Sequence, residues 1–311
     1  MEMVIQLALL VLGFVLLVKG ADWFVDGAAS IAAKLGIPQL VIGLTIVAMG
    51  TSAPEAAVSL TAAFHGNADI TIGNVVGSNI MNVLVILGLA AMICPMVVAK
   101  LTVFVDIPVT LVMSLVLFGL GVDGSISRLD AAILLVVFIG YLSYLFLMTK
   151  KGLISGESEE EVAKIQSVPK ALLFTALGLA LIIVGSSLAV DAASAIAKML
   201  GLSERFIGLT IVALGTSLPE LFTSVAAAIK KNPDMAIGNI VGSNIFNILF
   251  IVGLSGMVIP VPFASAFRFD TLVATATMLL LFLLSLPKRR LGRVAGFILL
   301  AGYIAYFLQI L

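Results

Sequence analysis

Residues 42–55, IGLTIVAMGTSAPE, recur at 207–220 as IGLTIVALGTSLPE, with twelve of fourteen positions identical. Residues 69–82, DITIGNVVGSNIMN, recur at 234–247 as DMAIGNIVGSNIFN, with ten of fourteen identical and the same offset of 165. VDGAAS at 25–30 is echoed by VDAASA at 190–195. Duplicated packing alone would preserve hydrophobicity, whereas here the polar letters stay in register. A duplication that only builds a pseudo-symmetric scaffold is the plainer reading, and it leaves one glutamate in each apolar copy unexplained.

The surroundings of both copies are apolar. The 311 residues are 61% hydrophobic and 11% charged, so a water-soluble fold would expose apolar patches larger than monomers carry. The bilayer is the natural solvent. A crossing helix needs about 20 apolar residues. Ten runs qualify, near 3–33, 39–64, 70–93, 101–121, 130–149, 169–199, 206–229, 235–258, 268–286 and 292–310. The opening MEMVIQLALLVLGF lacks the basic stretch and cleavage site of a signal peptide and reads as the first span. Each copy then holds five spans. An odd number forces the second copy to enter the membrane upside down, and inverted repeats with interrupted helices point to a binding site near the midplane. The expected fold is an all-α integral membrane protein of ten transmembrane helices in two inverted five-helix repeats, with helices two and seven broken. The repeats are expected at 1–149 and 169–311, joined by a linker at 150–168.

Orientation follows from the bias of Lys and Arg toward the cytoplasmic side. With the N-terminus outside, Lys34, Lys100, Lys150, Lys151, Lys164, Lys170, Lys230, Lys231, Lys288, Arg289, Arg290 and Arg293 are inside. Only Arg128, Lys198, Arg205 and Arg268 are outside. Both termini are therefore expected outside the plasma membrane and the 150–168 linker in the cytoplasm. The acid run Glu159, Glu160, Glu161 in that linker could bind a regulatory cation; a solvated connection is the plainer reading, and the segment is too short to fold alone. Net charge is zero, with no basic footprint for nucleic acid. A single cysteine, Cys94, excludes an intrachain disulfide and a multi-cysteine metal site. The lone histidine, His65, has no second histidine to join it. Lys19, Asp22 and Asp26 read as paired or snorkelling groups near the inner end of the first span.

The chemistry lies in the two motifs. Pro54 cannot donate to the carbonyl of Gly50, and its ring disturbs that turn. Carbonyls around Ala48 to Thr51 are expected to leave the helix ladder, which at bilayer depth requires protein, water or an ion to satisfy them. Thr51 and Ser52 add hydroxyls, and Glu55 adds a carboxylate. This all-oxygen inventory suits hard cations such as Ca²⁺ and Na⁺. The inverted copy brings Gly215, Thr216, Ser217, Pro219 and Glu220 to the same depth. Two carboxylates in low dielectric repel; one Ca²⁺, sodium ions or two protons each remove the conflict, and competition among these charge sets is a basis for exchange. In the second motif, Gly73 and Gly77, with Gly238 and Gly242, have the spacing that lets helices approach closely. Asn74, Ser78 and Asn82, with Asn239, Ser243 and Asn247, lie four residues apart on common helix faces. They read both as interhelical glue and as neighbours of the cation.

These residues resemble the cation/calcium exchangers, best known for the sodium/calcium exchangers. The paired GTSxPE and GNxxGSNI motifs match that family's alpha-repeats, and the likeness covers essentially the whole chain in its compact prokaryotic form, without a regulatory domain. The resemblance implies alternating access by sliding of the first and sixth helices past a core of spans two, three, seven and eight. It implies Glu55 and Glu220 as calcium carboxylates, aided by backbone oxygens of Thr51 and Thr216. It assigns sodium to the carbonyls of Ala48 and Ala213 and the side chains of Thr51, Ser52, Thr216, Ser217, Ser78 and Ser243, with Asn82 lining the middle. One position departs from the pattern: sodium/calcium exchangers carry Asp where this chain has Asn247. Two acids still suit one calcium, while the coupling ion stays open between Na⁺ and H⁺. No cofactor is expected beyond the transported cations, and a monomer suffices. A cation channel and an intramembrane hydrolase are the other classes. Two-fold pseudo-symmetry argues against the first, and the missing nucleophile or zinc motif argues against the second.

Overall fold

The computed structural model describes residues 2–154, 167–201 and 213–310. The chain is a bundle of apolar helices: α1 (Glu2–Leu35), α2 (Gln39–Thr51), α3 (Ala53–Phe64), α4 (Asp69–Ile93), α5 (Thr102–Gly121), α6 (Arg128–Lys150), α7 (Val168–Met199), α8 (Ala213–Thr216), α9 (Leu218–Ile229), α10 (Pro233–Val258), α11 (Ala266–Ser285) and α12 (Arg293–Ile310). Helix is the form that satisfies every backbone group within a lone segment in hydrocarbon. Seven described helices are long and apolar enough to cross a membrane: α1, α4, α5, α6, α7, α10 and α11. α2 and α3 make an eighth span, bent by 48° at Ser52. α9 and α12 are shorter apolar helices. The expected seventh span begins within residues 206–212, which lie outside the described residues, as does the acid run at 159–161. Phe104, Val136, Phe146 and Phe297 are exposed on the outer helices, where lipid would cover them. The protein is an integral, multi-pass membrane protein.

The motif-bearing helices form the centre. In α10 94% of the apolar window is buried, and in α4 72%, against 17% in α1. Glycine decides how close the central helices come. A Cβ on Gly242 would lie 2.6 Å from the Leu44 carbonyl oxygen, and one on Gly238 3.0 Å from the Leu40 oxygen, so α10 packs on α2 backbone to backbone. The equivalent approach of Gly73 and Gly77 would be made to a segment largely outside the described residues. Among the described residues, Gly73 faces the Phe267 ring and Gly77 has no neighbour within 4 Å. By the offset of 165, their partner segment falls largely outside the described residues.

A second glycine seam joins α1 and α7. Gly13, Gly20 and Gly27 are seven apart, as are Gly178 and Gly185. Gly13 sits against the backbone of Gly185 and Gly20 against that of Gly178, so the helices run antiparallel in direct contact. The 165-residue offset exchanges these two contacts, as a two-fold axis between the helices requires. Two short antiparallel ribbons repeat the exchange. β1 (Met96–Val97) pairs with β4 (Arg290–Leu291), and β2 (Ser125–Ile126) with β3 (Val261–Pro262). Each ribbon clips one half to the other. Beside β2, Ser127 and Asp130 form a reciprocal capping box that starts α6.

Candidate cation site

Both broken spans interrupt at a serine. Ser52 (φ −83°, ψ 10°) and Ser217 (φ −89°, ψ 3°) leave helical geometry at equivalent positions. Each is followed by a new helix with proline in its first turn, where no backbone donor is needed. Pro54 and Pro219 thus begin α3 and α9, and the following glutamates sit in the first turns of these helices. A helix N-terminus there favours negative charge. The ladder opens less than the sequence suggests at Ala48. Its carbonyl still accepts from the Ser52 N–H (3.0 Å), and also from the Thr51 hydroxyl (3.3 Å) and the Ser243 hydroxyl (3.4 Å). In the second copy Ser217 N–H takes the Leu214 carbonyl instead (3.2 Å), and Ala213 opens α8.

The two glutamates are fully buried, 0% and 1% exposed. Ser52 Oγ donates to Glu220 Oε1 (2.8 Å), and Thr51 Oγ1 to Asn239 Oδ1 (3.0 Å), both from one half to the other. Thr216 and Ser217 lie beside Glu55, with Glu220 within electrostatic reach of it. Even so, neither Glu55 oxygen has a hydrogen-bond partner of good geometry among the described residues, nor do Glu220 Oε2 and Ser217 Oγ. Ser78 is buried in α4. Asn74 and Asn239 steady the breaks from behind: Asn74 Nδ2 donates to Ser59 Oγ (2.9 Å) and the Glu55 carbonyl (3.1 Å), and Asn239 Nδ2 to Ser224 Oγ (2.9 Å).

Four asparagines close the middle. Asn79 Nδ2 donates to the Asn244 carbonyl and Asn244 Nδ2 to the Asn79 carbonyl, both at 3.3 Å. Asn82 Nδ2 donates to Asn244 Oδ1 (2.9 Å) and Asn247 Nδ2 to Asn79 Oδ1 (3.0 Å). Each bond has its two-fold mate. With one amide hydrogen of each donated here, Asn82 and Asn247 keep an Oδ1 without a partner among the described residues. Both begin π-helical turns, Asn82–Leu87 and Asn247–Ile251, whose extra residue per turn is frequent at functional sites. Asn79, Asn244, Ser59 and Ser224 are structural partners that the reading of single motifs passes over. The signal was present, since each pair is a polar letter retained at the 165 offset.

Buried carboxylate oxygens short of hydrogen-bond partners are costly unless paired or bound to a cation, and carboxylate, hydroxyl and amide oxygens are the ligands hard cations take. A cavity of about 640 Å³ between α3 and α7 reaches Pro54, Gly215 and Thr216, next to the glutamates.

The sequence profile described as sodium/calcium exchanger protein matches residues 5–147 and 170–311. CaxA of Alkalimonas amylolytica is 41% identical over 98% of each chain. The sodium/calcium exchanger MaX1 of Methanosarcina acetivorans is 34% identical over 97% of each. Among solved structures, the sodium-calcium exchanger NCX_Mj soaked with zero Na⁺ and Ca²⁺ superposes with a TM-score of 0.86, at 35% identity and 99% coverage of both chains. With its two matched halves, its buried motifs and a fold shared over its full described length, this chain belongs to the sodium/calcium exchanger family.

Proposed function

We propose that the protein is a secondary antiporter that exchanges Ca²⁺ for Na⁺ by alternating access, with Glu55 and Glu220 sharing the cation. The observation that carries this reading is the set of buried oxygens with no hydrogen-bond partner of good geometry among the described residues: both of Glu55, Glu220 Oε2, Ser217 Oγ, Asn82 Oδ1 and Asn247 Oδ1. A divalent ion balances two carboxylates; sodium ions balance them in turn. Thr51, Thr216, Ser52, Ser217, Ser78, Ser243 and the carbonyls of Ala48 and Ala213 supply the remaining ligands in this reading. The halves 1–149 and 169–311 act as the inverted units, with both termini outside and the 150–168 linker in the cytoplasm of the cell. The α3–α7 cavity then opens outward. Calcium uptake into proteoliposomes driven by a sodium gradient at clamped pH tests the proposal, and uptake indifferent to sodium refutes it.

Coupling to H⁺ on the same fold is the second reading. Asn247 favours it, because a neutral amide leaves two acids at the centre and two protons match one Ca²⁺. A proton gradient that drives uptake without sodium, and without current, selects it.

A further inference from the structure

The two-fold relation that governs α1 and α7 fails where these helices meet the core. On one side α1 lies along α9. Phe14 meets the Phe222 ring at 6.1 Å between centroids. Lys230, at the C-terminus of α9, reaches α1 with its Nζ 2.8 Å from Asp26 Oδ1, 2.8 Å from the Asp22 carbonyl oxygen and 3.3 Å from Asp22 Oδ1. The offset of 165 carries Lys230 onto His65, Asp26 onto Asp191 and Asp22 onto Ser187. His65 ends α3 as Lys230 ends α9, its N–H on the Thr61 carbonyl (3.1 Å) as that of Lys230 is on Ala226 (3.0 Å). Yet α7 does not close on α3. The 640 Å³ cavity reaches Ser187 and Asp191, a second of about 480 Å³ reaches His65, and the two share Ala57 and Val58. Equivalent positions thus pair on one side and border open space on the other.

We propose that Asp191 and His65 make the closing contact of the open side, formed as the Asp26–Lys230 contact parts. The inference rests on the antiport reading above. The backbone-to-backbone glycine seam makes α1 and α7 one body, so a shift that lays α7 on α3 draws α1 off α9. The existing contact suits a reversible latch, because its side chains are partly solvated, 27% exposed for Lys230 and 46% for Asp26, and such pairs are weak. His65 Nδ1 lies 2.8 Å from the Thr61 carbonyl and holds its hydrogen there. That leaves Nε2 as the ring atom available to Asp191. The other charged groups on the flanking elements are Glu55 on α3, Asp69 at the start of α4, and Lys170 and Lys198 on α7.

Paired cysteines test the contact in proteoliposomes, in a Cys94→Ala background oxidised by copper phenanthroline. The pair His65→Cys with Asp191→Cys is expected to form a disulfide, to cut ion exchange at least tenfold and to recover on reduction. The proposal is overturned if that disulfide does not form while Asp26→Cys with Lys230→Cys does, or if it forms and exchange continues unchanged. Disulfide formation is read without any ion gradient. A Cys94→Ala background that fails to exchange Ca²⁺ for Na⁺ therefore refutes the antiport reading and leaves the contact separately measured. Should the cysteine pair misfold, Asp191→Asn is expected to slow exchange roughly two- to fivefold, the scale of a partly solvated ion pair. The swap of His65→Asp with Asp191→Lys is expected to restore it, and slowing without restoration overturns the proposal. His65→Lys, which keeps a donor at that position as Lys230 does on the other side, is expected to keep exchange.

Discussion

Ser52 Oγ donates to Glu220 Oε1 at 2.8 Å, joining the break of one broken span to the carboxylate of the other, 168 residues away in the chain. Neither half therefore builds the site alone. Removing the hydroxyl takes from Glu220 Oε1 the donor that Ser52 supplies, while changing little volume. For Ser52→Ala we expect folding to persist and half-saturating Ca²⁺ to rise roughly tenfold, since an unsatisfied buried acceptor costs about 1–3 kcal/mol. Calcium uptake titrated in proteoliposomes measures it; an unchanged titration would mean the bond is incidental to binding.

Glu55→Gln and Glu220→Gln keep the shape and remove one charge each. At an effective dielectric of about 20, one charge some 4 Å from a monovalent ion is worth about 4 kcal/mol, and more for a divalent one. Either variant is expected to lose Ca²⁺ uptake by a factor on the order of a thousand or more. Isotope uptake by the purified variants reads this, and near-native transport by either would show that the carboxylates do not share one cation.

The break at GTSxPE was legible because proline beside glutamate in an apolar run has few innocent readings, and the inverted relation followed from counting five spans per copy. Three features were not legible. Proline at a helix start and proline at a kink look alike in sequence, so the Ala48 carbonyl was expected to be freed when it stays bonded to Ser52. The pairing of Asn79 with Asn247 and of Asn82 with Asn244 depends on which faces of α4 and α10 meet, which helical spacing alone does not specify. The difference between the Lys230 and His65 sides is a property of one conformation, and the repeat carries only what both sides share.

Gly242 tests the backbone packing that holds α2 against α10. A methyl group there would lie 2.6 Å from the Leu44 carbonyl oxygen and 2.8 Å from Ala48 Cβ, and backbone cannot step aside as a side chain does. Gly242→Ala should destabilise the protein by about 1–3 kcal/mol, the cost of overpacking, and displace Ala48 from Ser243. Gly140→Ala is the control, with nothing within 4 Å of its added methyl. Thermal unfolding in detergent should show a lower midpoint for Gly242→Ala and none of that loss for Gly140→Ala. Equal midpoints would contradict the close approach.

Asn247 Nδ2 gives its hydrogen to Asn79 Oδ1 at 3.0 Å, and Asn79 is itself oriented by its donation to the Asn244 carbonyl. Asn247→Asp replaces that donor. A protonated acid can still donate to Asn79 Oδ1, whereas an ionised one sets two acceptors against each other and adds a third negative charge near the glutamates. The ring is therefore intact where the new acid is protonated and is lost as pH rises through its ionisation. Relative to the native chain at the same pH, sodium-driven calcium exchange by Asn247→Asp should fall several-fold as pH is raised, the penalty of an unsatisfied acceptor being about 1–3 kcal/mol. Taking the ratio removes any pH dependence that Glu55 and Glu220 confer on both proteins. A ratio that does not move with pH would mean that Asn79 turns its amide to meet the carboxylate, and its bond to the Asn244 carbonyl would then be the one given up.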